Sequence, residues 1–309
     1  MIAMLKRRVK RLLMSVMTVL IFFVGVGSFG IGALAAPTSQ QVKAQQQVVK
    51  KQLQSYLNKV SQDKTASVAF YNLGAQSDTV AGQTASAPFY KSGALAVYSP
   101  NAHKTYTSAS TYKLFIIANI CARIDAGTLN KKVLRSSGFE QMILHSRNEF
   151  AENYLKTYGA AKVNLFLRKL GLYSYVFASN RAARTTAASL SSIMRRLDQG
   201  KYPFDNASNR QRVLSLMQRQ VYRSGIPKGA AQAMQGARAA DKVGWLWSYN
   251  NDAAIVTLPN GQRYVLVVMT HGHGQHGFSG FPRIATITKN VQKIVYGGTT
   301  TSKIQLLYE

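Results

Sequence analysis

Ser110-Thr111-Tyr112-Lys113 is the stretch whose residue types and spacing could do covalent chemistry. On a helix, side chains three apart share a face, so Ser110 Oγ and Lys113 Nζ can meet. A serine hydroxyl is a poor nucleophile until a base within hydrogen-bond reach takes its proton. A lysine can be that base only after losing its own proton, which burial and neighbouring cations promote. A helix N-terminus would also aim backbone N–H groups at an oxyanion forming on the substrate. The pattern alone is weak, because Ser-x-x-Lys arises by chance on the order of once or twice in a chain this basic. Ser61-Gln62-Asp63-Lys64 matches it equally. Ser61 follows an amphipathic segment and reads as a linker, which makes it an internal control.

Two further patterns separate Ser110 from Ser61. Ser146-Arg147-Asn148 falls within a strongly helical segment, and Lys242-Val243-Gly244 falls on a strand. Both recur elsewhere, at Ser99–Asn101, Ser248–Asn250 and Lys91–Gly93, so order and placement carry the argument. Each residue also has an ordinary reading. Ser110 could be a simple helix N-cap, Asn148 a satisfied interface amide, and Lys242 a solvated edge lysine that discourages aggregation. The agreement of three patterns in order outweighs these.

The elements that must position these groups follow from periodicity. Gln40 to Val60 is an amphipathic helix with Val49, Leu53, Tyr56, Leu57 and Val60 at helical spacing. Ala66–Leu73 and Ala94–Tyr98 read as strands. Helical patterns then occupy Thr111–Ile124, Glu140–Tyr158, Val163–Leu170, Thr186–Leu197 and Asn209–Val221. Ala240–Leu246, Asp252–Leu258 and Tyr264–Thr270 are strands, the last two joined by a Pro259-Asn260-Gly261 turn. Pro282–Tyr296 closes as a helix, and the Ser/Thr/Gly clusters at Thr79–Ser86 and Gly297–Ser302 read as surface loops. Trp245 and Trp247, two apart, should share a face of their strand. The expected architecture is α+β: about five antiparallel strands flanked by the terminal helices, with an all-helical lobe inserted. The sheet part takes 40–109 and 236–309, and the lobe 110–235.

Composition narrows the setting. The 309 residues carry 39 Lys+Arg against 11 Asp+Glu, a net charge of +28, with 46% hydrophobic residues. That is a folded chain, not a disordered polycation. Lys6, Arg7, Arg8, Lys10 and Arg11 precede an uncharged run from Leu12 to Ala36 with Ala33-Leu34-Ala35 at its end. Residues 1–36 are therefore expected to be a signal peptide cleaved after Ala35, or an uncleaved membrane anchor. Removing those five bases leaves +23 on a part expected outside the cell or on the outer face of its membrane. Nucleic acid is not an expected partner there; an anionic wall polymer or membrane surface is. A single cysteine, Cys121, excludes an intrachain disulfide framework, and its apolar surroundings make it a core residue. His271-Gly272-His273-Gly274-Gln275-His276 has no acid or cysteine close in sequence and reads as a flexible loop at one cleft edge. No metal or other cofactor is expected, and the chain is expected to be a monomer.

The stretches SASTYKLF, HSRNEFAENYL, TTAASLSSIMRRL and DKVGWLWSYNNDAAIV with YVLVVMTHG resemble the serine β-lactamase and penicillin-binding protein superfamily, especially class A β-lactamase-like hydrolases. The resemblance spans roughly residues 40 to 296 and implies the β-lactamase/transpeptidase-like fold. It implies Ser110 as acylated nucleophile, Lys113 as its base, and Ser146 as proton shuttle to the leaving amine. Asn148 would orient Lys113 and the substrate amide, and Lys242 would attract the substrate carboxylate and depress the Lys113 pKa. Gly244 would permit close approach, with the N–H groups of Ser110 and Trp245 as oxyanion hole. The implied substrate is a β-lactam or a peptidoglycan-like peptide of the D-Ala type.

The sequence departs from that family in four ways. Arg147 stands for the usual Asp, and Val243 for the usual Thr or Ser, removing a hydroxyl. The 36-residue step from Ser110 to Ser146 is short. Most consequentially, Gly171–Thr185, counterpart of the loop that carries a deacylating Glu, contains no acid, and no carboxylate occurs between Glu152 and Asp198. Glu149 and Glu152, close to Asn148, read as structural. Without such a base, acylation can proceed while hydrolysis of the acyl-enzyme slows by about two to four orders of magnitude. Three functions remain open: a slowly deacylating β-lactamase-like hydrolase, a D-alanyl-D-alanine carboxypeptidase-like penicillin-binding enzyme, and a catalytically silent wall-associated binding protein.

Overall fold

Thr38 opens the first helix, α1 (Ser39–Ser61), through a reciprocal capping box with Gln41. Val49, Leu53 and Leu57 recur every fourth residue on its buried face. The computed structural model describes residues 36–308; the expected signal peptide or anchor lies almost wholly outside the described residues. After α1 come β1 (Ala66–Ala75), β2 (Val97–Tyr98) and β3 (Tyr106–Thr107). The lobe contains α2 (Lys113–Asp125), α3 (Ser137–Leu144), α4 (Glu149–Tyr154) and α5 (Ala160–Lys169). β4 (Arg184–Thr185), α6 (Ala187–Gln199), α7 (Ala207–Gln218) and α8 (Ile226–Ala233) follow. The chain then forms β5 (Arg238–Leu246), β6 (Tyr249–Thr257), β7 (Gln262–Thr270), α9 (Phe281–Tyr296) and α10 (Gly298–Tyr308).

Five strands make one antiparallel sheet in the order β2-β1-β7-β6-β5, so β5 is an edge strand. Alternation along each strand feeds two cores. Ala69, Ala253, Val265, Val267 and Met269 face the core shared with α2, α6 and the lobe. Val68, Phe70, Ala254, Val256, Leu266 and Val268 face a lower core closed by α1, α8 and α9. With both faces covered, the strands read as near-continuous apolar runs. The β6–β7 turn forms as its sequence demands: Gly261 has a φ of 93°, and Asn260 Oδ1 accepts the Gln262 N–H.

Tertiary packing changed several local expectations. The helix expected over Glu140–Tyr158 is broken after Leu144, and Ser146 adopts a left-handed φ of 57°. Ser146-Arg147-Asn148 is thus a connecting turn between α3 and α4 rather than helix. The reason is visible in its bonding: the Ser146 carbonyl accepts from Lys113 Nζ at 2.6 Å instead of from a helical amide. Gly297–Ser302, expected as loop, begins α10, whose Ile304 and Thr300 are buried; packing overrides the weak helix propensity of its Thr residues. β2 is shorter than Ala94–Tyr98, and α8 and the small β3–β4 pair were not anticipated. Trp247 does not share a face with Trp245. It lies past the end of β5 in the turn between Leu246 and Tyr249, at a φ of 52° and exposed, whereas Trp245 packs on the lower core.

Candidate active site

Ser110 sits in a 3-10 turn, Ala109–Tyr112, that leads directly into α2. The turn is pinned from several sides. Asn251, fully buried on β6, donates through Nδ2 to the carbonyls of Thr107 and Ser108, each at 2.9 Å. Ser108 N–H donates to Ala183 O at 2.8 Å, and Thr111 Oγ1 donates to Ser108 O at 2.6 Å. These contacts hold Ala109 at a φ of 44°, a left-handed conformation unfavourable for a residue with a Cβ. Such strain persists only where its surroundings over-determine it.

Lys113, on the first turn of α2, is fully buried, and its Nζ reaches Ser110 Oγ at 2.9 Å, Ser146 O at 2.6 Å and Asn148 Oδ1 at 2.7 Å. Those three acceptors match the three donors of an ammonium. Burial brings its pKa down to about 8, although the charges of Glu152 and Glu149 oppose the shift. Lys242, fully buried on β5, donates to Ser146 Oγ at 2.7 Å and to Val243 O at 2.8 Å. Burial first and the Lys113 charge second hold its pKa well below the ordinary lysine value. Ser146 thus links two desolvated amines, offering its backbone carbonyl to Lys113, which also holds Ser110 Oγ, and its hydroxyl to Lys242.

Gly244 follows two residues along β5 and faces the Ser110 turn. A Cβ there would stand 2.6 Å from Ser110 N and 2.8 Å from Thr111 N, so only glycine allows this approach. Val243 is fully buried in the lower core, so its side chain lies on the face of β5 opposite Lys242 and Gly244. Trp245 is half-buried, its ring against Tyr222 and Phe278 at 4.9 and 4.5 Å between centroids. The sequence motifs expected to cooperate therefore converge: Ser110, Lys113, Ser146, Asn148, Lys242 and Gly244 lie around one cleft between β5 and the lobe.

The acid-free loop also lies beside the site. Phe177 packs edge-on against Tyr112 at 5.5 Å, and Asn164 ties the loop down through both the N–H and the carbonyl of Phe177. Tyr112, two residues after Ser110, thus meets an aromatic ring of this loop. Glu149 and Glu152 are exposed at the start of α4, near enough to bear on Lys113.

The control behaves as a control. Ser61 ends α1, buried, with its Oγ donating to Leu57 O at 2.7 Å. It belongs to the helix itself and not to a linker. Cys121 is fully buried in the lobe core. The histidine loop needs a correction: an acid does lie beside it in space. His273 Nε2 and Asp63 Oδ2 are 2.6 Å apart, across 210 positions, and His271 stacks between Tyr106 and Tyr249. Among the described residues no three His, Cys, Asp or Glu side chains converge as metal ligands would. Asn251 escaped sequence reasoning; the only signal available was an amide inside an otherwise apolar strand.

The sequence model of the β-lactamase enzyme family matches residues 138–297, more than half of the chain. No curated protein matches the sequence. Among solved structures, PBP-A is 23% identical, with 82% of this chain and 96% of that one covered at a TM-score of 0.60. A mutant of PBP-A, solved as its acyl-enzyme complex with penicillin G, is likewise 23% identical, with coverages of 82% and 97% and a TM-score of 0.59. A class A β-lactamase from Bacteroides cellulosilyticus DSM 14838 is 16% identical, with coverages of 80% and 98% and a TM-score of 0.59. These likenesses establish a common fold.

Proposed function

The chain belongs to the β-lactamase enzyme family, and from that premise we propose that it is an exported serine hydrolase acylated on Ser110 by β-lactams or by D-Ala-type peptides, with slow release of the acyl group. The observation that carries this reading is the 2.9 Å contact between Ser110 Oγ and a fully buried Lys113 Nζ.

In the proposed reaction Lys113 works as the neutral amine. Its lone pair takes the Ser110 proton as Oγ attacks the substrate carbonyl carbon. Negative charge develops on the carbonyl oxygen, opposite the N–H groups of Ser110 and Trp245, and such donors are worth about two to three orders of magnitude in rate. The C–N bond then breaks. Ser146 Oγ gives its proton to the leaving nitrogen and is reprotonated from Lys113 or Lys242, the amine it already contacts. Asn148 keeps Lys113 Nζ aimed at Ser110. Lys242 supplies positive potential for the substrate carboxylate and, by its charge, favours the neutral form of Lys113.

Release of the acyl group needs a water and a base to activate it. The loop over 171–185 has no carboxylate and brings Phe177 against Tyr112, next to the nucleophile. This favours a long-lived acyl-enzyme, as in a penicillin-binding peptidase, over an efficient β-lactamase. The charge of +23 beyond residue 36 suits attachment to an anionic wall polymer or membrane surface.

Incubation with a labelled penicillin, followed by intact mass and by chromogenic cephalosporin turnover, tests the reading. A persistent adduct that disappears in Ser110→Ala is expected. Fast turnover would overturn slow release, and neither adduct nor turnover would leave a silent binding protein of the same fold. Pull-down on wall polymer should weaken with salt; salt-insensitive binding or none would remove the electrostatic attachment.

A further inference from the structure

Two carboxyl groups, Asp241 and Asp252, are fully buried beneath the strand that carries Lys242. Asp241 immediately precedes Lys242 and so points to the opposite face, toward the lower core. Asp252, on β6, pairs across the ladder with Val243. The two acids therefore bracket Lys242 and Val243 from below.

Their partners are few. Asp241 accepts from Gln220 Nε2 at 2.9 Å and from Arg223, whose other nitrogen donates to Ala239 O at 2.7 Å. Asp252 Oδ2 accepts the Ile226 N–H at 2.8 Å, and Gly225 fits against it only because a Cβ there would come within 2.5 Å. Asp252 Oδ1 is buried with no donor to satisfy it, and the ladder register, Asp241 opposite Ala254 and Asp252 opposite Val243, makes the two acids diagonal neighbours on the same face. Ionised carboxylates only accept. Two of them side by side, in a site without water, set lone pairs against lone pairs, and one guanidinium cannot compensate both.

We propose that Asp241 and Asp252 share a single proton and that this carboxyl–carboxylate pair is a positioning unit that fixes β5, and with it Lys242, against the cleft. Asp241, held by Arg223 and Gln220, and Asp252, whose Oδ1 has no other donor, keep that proton between them. Burial pushes both carboxyls above the usual carboxylate range, Asp252 to about 7 and Asp241 well above that range, so the pair still holds a proton at neutral pH. Among the described residues the cations that bear on the pair are Arg223, from the connection before α8, and Lys242, on the other face of β5. Lys113 acts on Lys242 in turn. The consequence for Lys242 rests on the acyl-enzyme reading above; the shared proton does not.

The sign of the pH effect follows. An unfolded aspartate releases its proton near pH 4. From about pH 4 up through neutral pH the folded pair retains a proton that the unfolded chain has lost, so this contribution to stability falls as pH rises and levels off only once the pair has released it. Asp252→Asn replaces the shared proton with an amide N–H that still donates to Asp241 but does not titrate.

Thermal and urea unfolding of the full chain and of Asp252→Asn, compared at each pH, tests the shared proton. The ratio of their unfolding constants should change about tenfold per pH unit from about pH 5 through neutral pH and level off where the pair releases its proton. Hydrogen exchange of the Arg238–Leu246 peptide tests the positioning. At about pH 6 the full chain and Asp252→Asn should protect β5 equally, and at the higher pH where the unfolding ratio levels off the unsubstituted chain should exchange several-fold faster. Asp252→Ala should open β5 at both pH values; if it does not fold, Asp252→Asn carries the comparison alone. A ratio flat with pH would overturn the shared proton. Equal β5 protection in both proteins at high pH, or an Asn variant as open as the Ala variant, would overturn the positioning role. Neither measurement needs Ser110 to be acylated, so failure here is distinct from failure of the enzyme reading.

Discussion

Lys242 Nζ meets Ser146 Oγ at 2.7 Å across 96 positions of sequence, and this contact closes the chain of polar residues that begins at Ser110. Both groups are buried, and Ser146 reaches the lysine only because its backbone turns left-handed between α3 and α4. Replacing Lys242 by Ala removes the Ser146 Oγ partner and the amine proposed to meet the substrate carboxylate. Acylation by labelled penicillin should fall by about two orders of magnitude or more, with the fold retained by circular dichroism. An unchanged rate would detach Lys242 from the chemistry.

Lys113→Arg keeps a cation but cannot present a neutral amine at any accessible pH. The acylation rate should drop by about two to four orders of magnitude. Intact mass against time, with Ser110→Ala as baseline, reads the difference. Near-normal labelling would mean that Lys113 acts by charge and not as a base.

The same lysine sets a pH profile. With a pKa of about 8, Lys113 is mostly charged at neutral pH, and the neutral fraction grows as pH rises. The acylation rate constant should therefore climb roughly tenfold per unit below about pH 8 and flatten above it. A fluorescent penicillin titrated across pH gives the curve, and a profile flat from about pH 6 upward contradicts a lysine base.

Gly244→Ala would force a methyl to 2.6 Å from Ser110 N and 2.8 Å from Thr111 N. Backbone on both sides cannot yield cheaply, so overpacking should cost about 1–3 kcal/mol of stability. Acylation should fall more than stability suggests if the displaced Ser110 N–H is the proposed oxyanion donor. Urea unfolding and acylation kinetics on the same protein separate the two effects.

Asn251→Ala removes both hydrogen bonds to the carbonyls of Thr107 and Ser108. Two buried carbonyls would lose a donor, a loss of about 2–4 kcal/mol, and the strained Ala109 would be free to relax. Acylation should decline with little change in the Lys113 pH midpoint, since Asn251 does not contact that amine. A shift of the midpoint would show that the clamp acts through Lys113 instead.

Local signals explain what was legible. The spacing of Val49, Leu53 and Leu57 declared α1, and Asn260-Gly261 declared its turn, because both depend on neighbours in sequence. Ser110 and Lys113 could be paired on paper, since one helical turn brings them together. Ser146 could be named but not placed. Its segment is periodic enough for a helix, and only the demand of Lys113 for the Ser146 carbonyl interrupts it. The Asp63–His273 contact was invisible, because it joins the end of α1 to the loop after β7.

The sequence by itself determined the family, the sheet with its inserted helical lobe, and the absence of a carboxylate in the loop over 171–185. These are properties of order, periodicity and residue type. Tertiary structure alone decided that Lys113 and Lys242 are both fully buried, that Asn251 clamps the Ser110 turn, and that Asp241 and Asp252 are buried beneath β5. Desolvation and close approach depend on groups distant in sequence, and these set the proton affinities from which the chemistry follows.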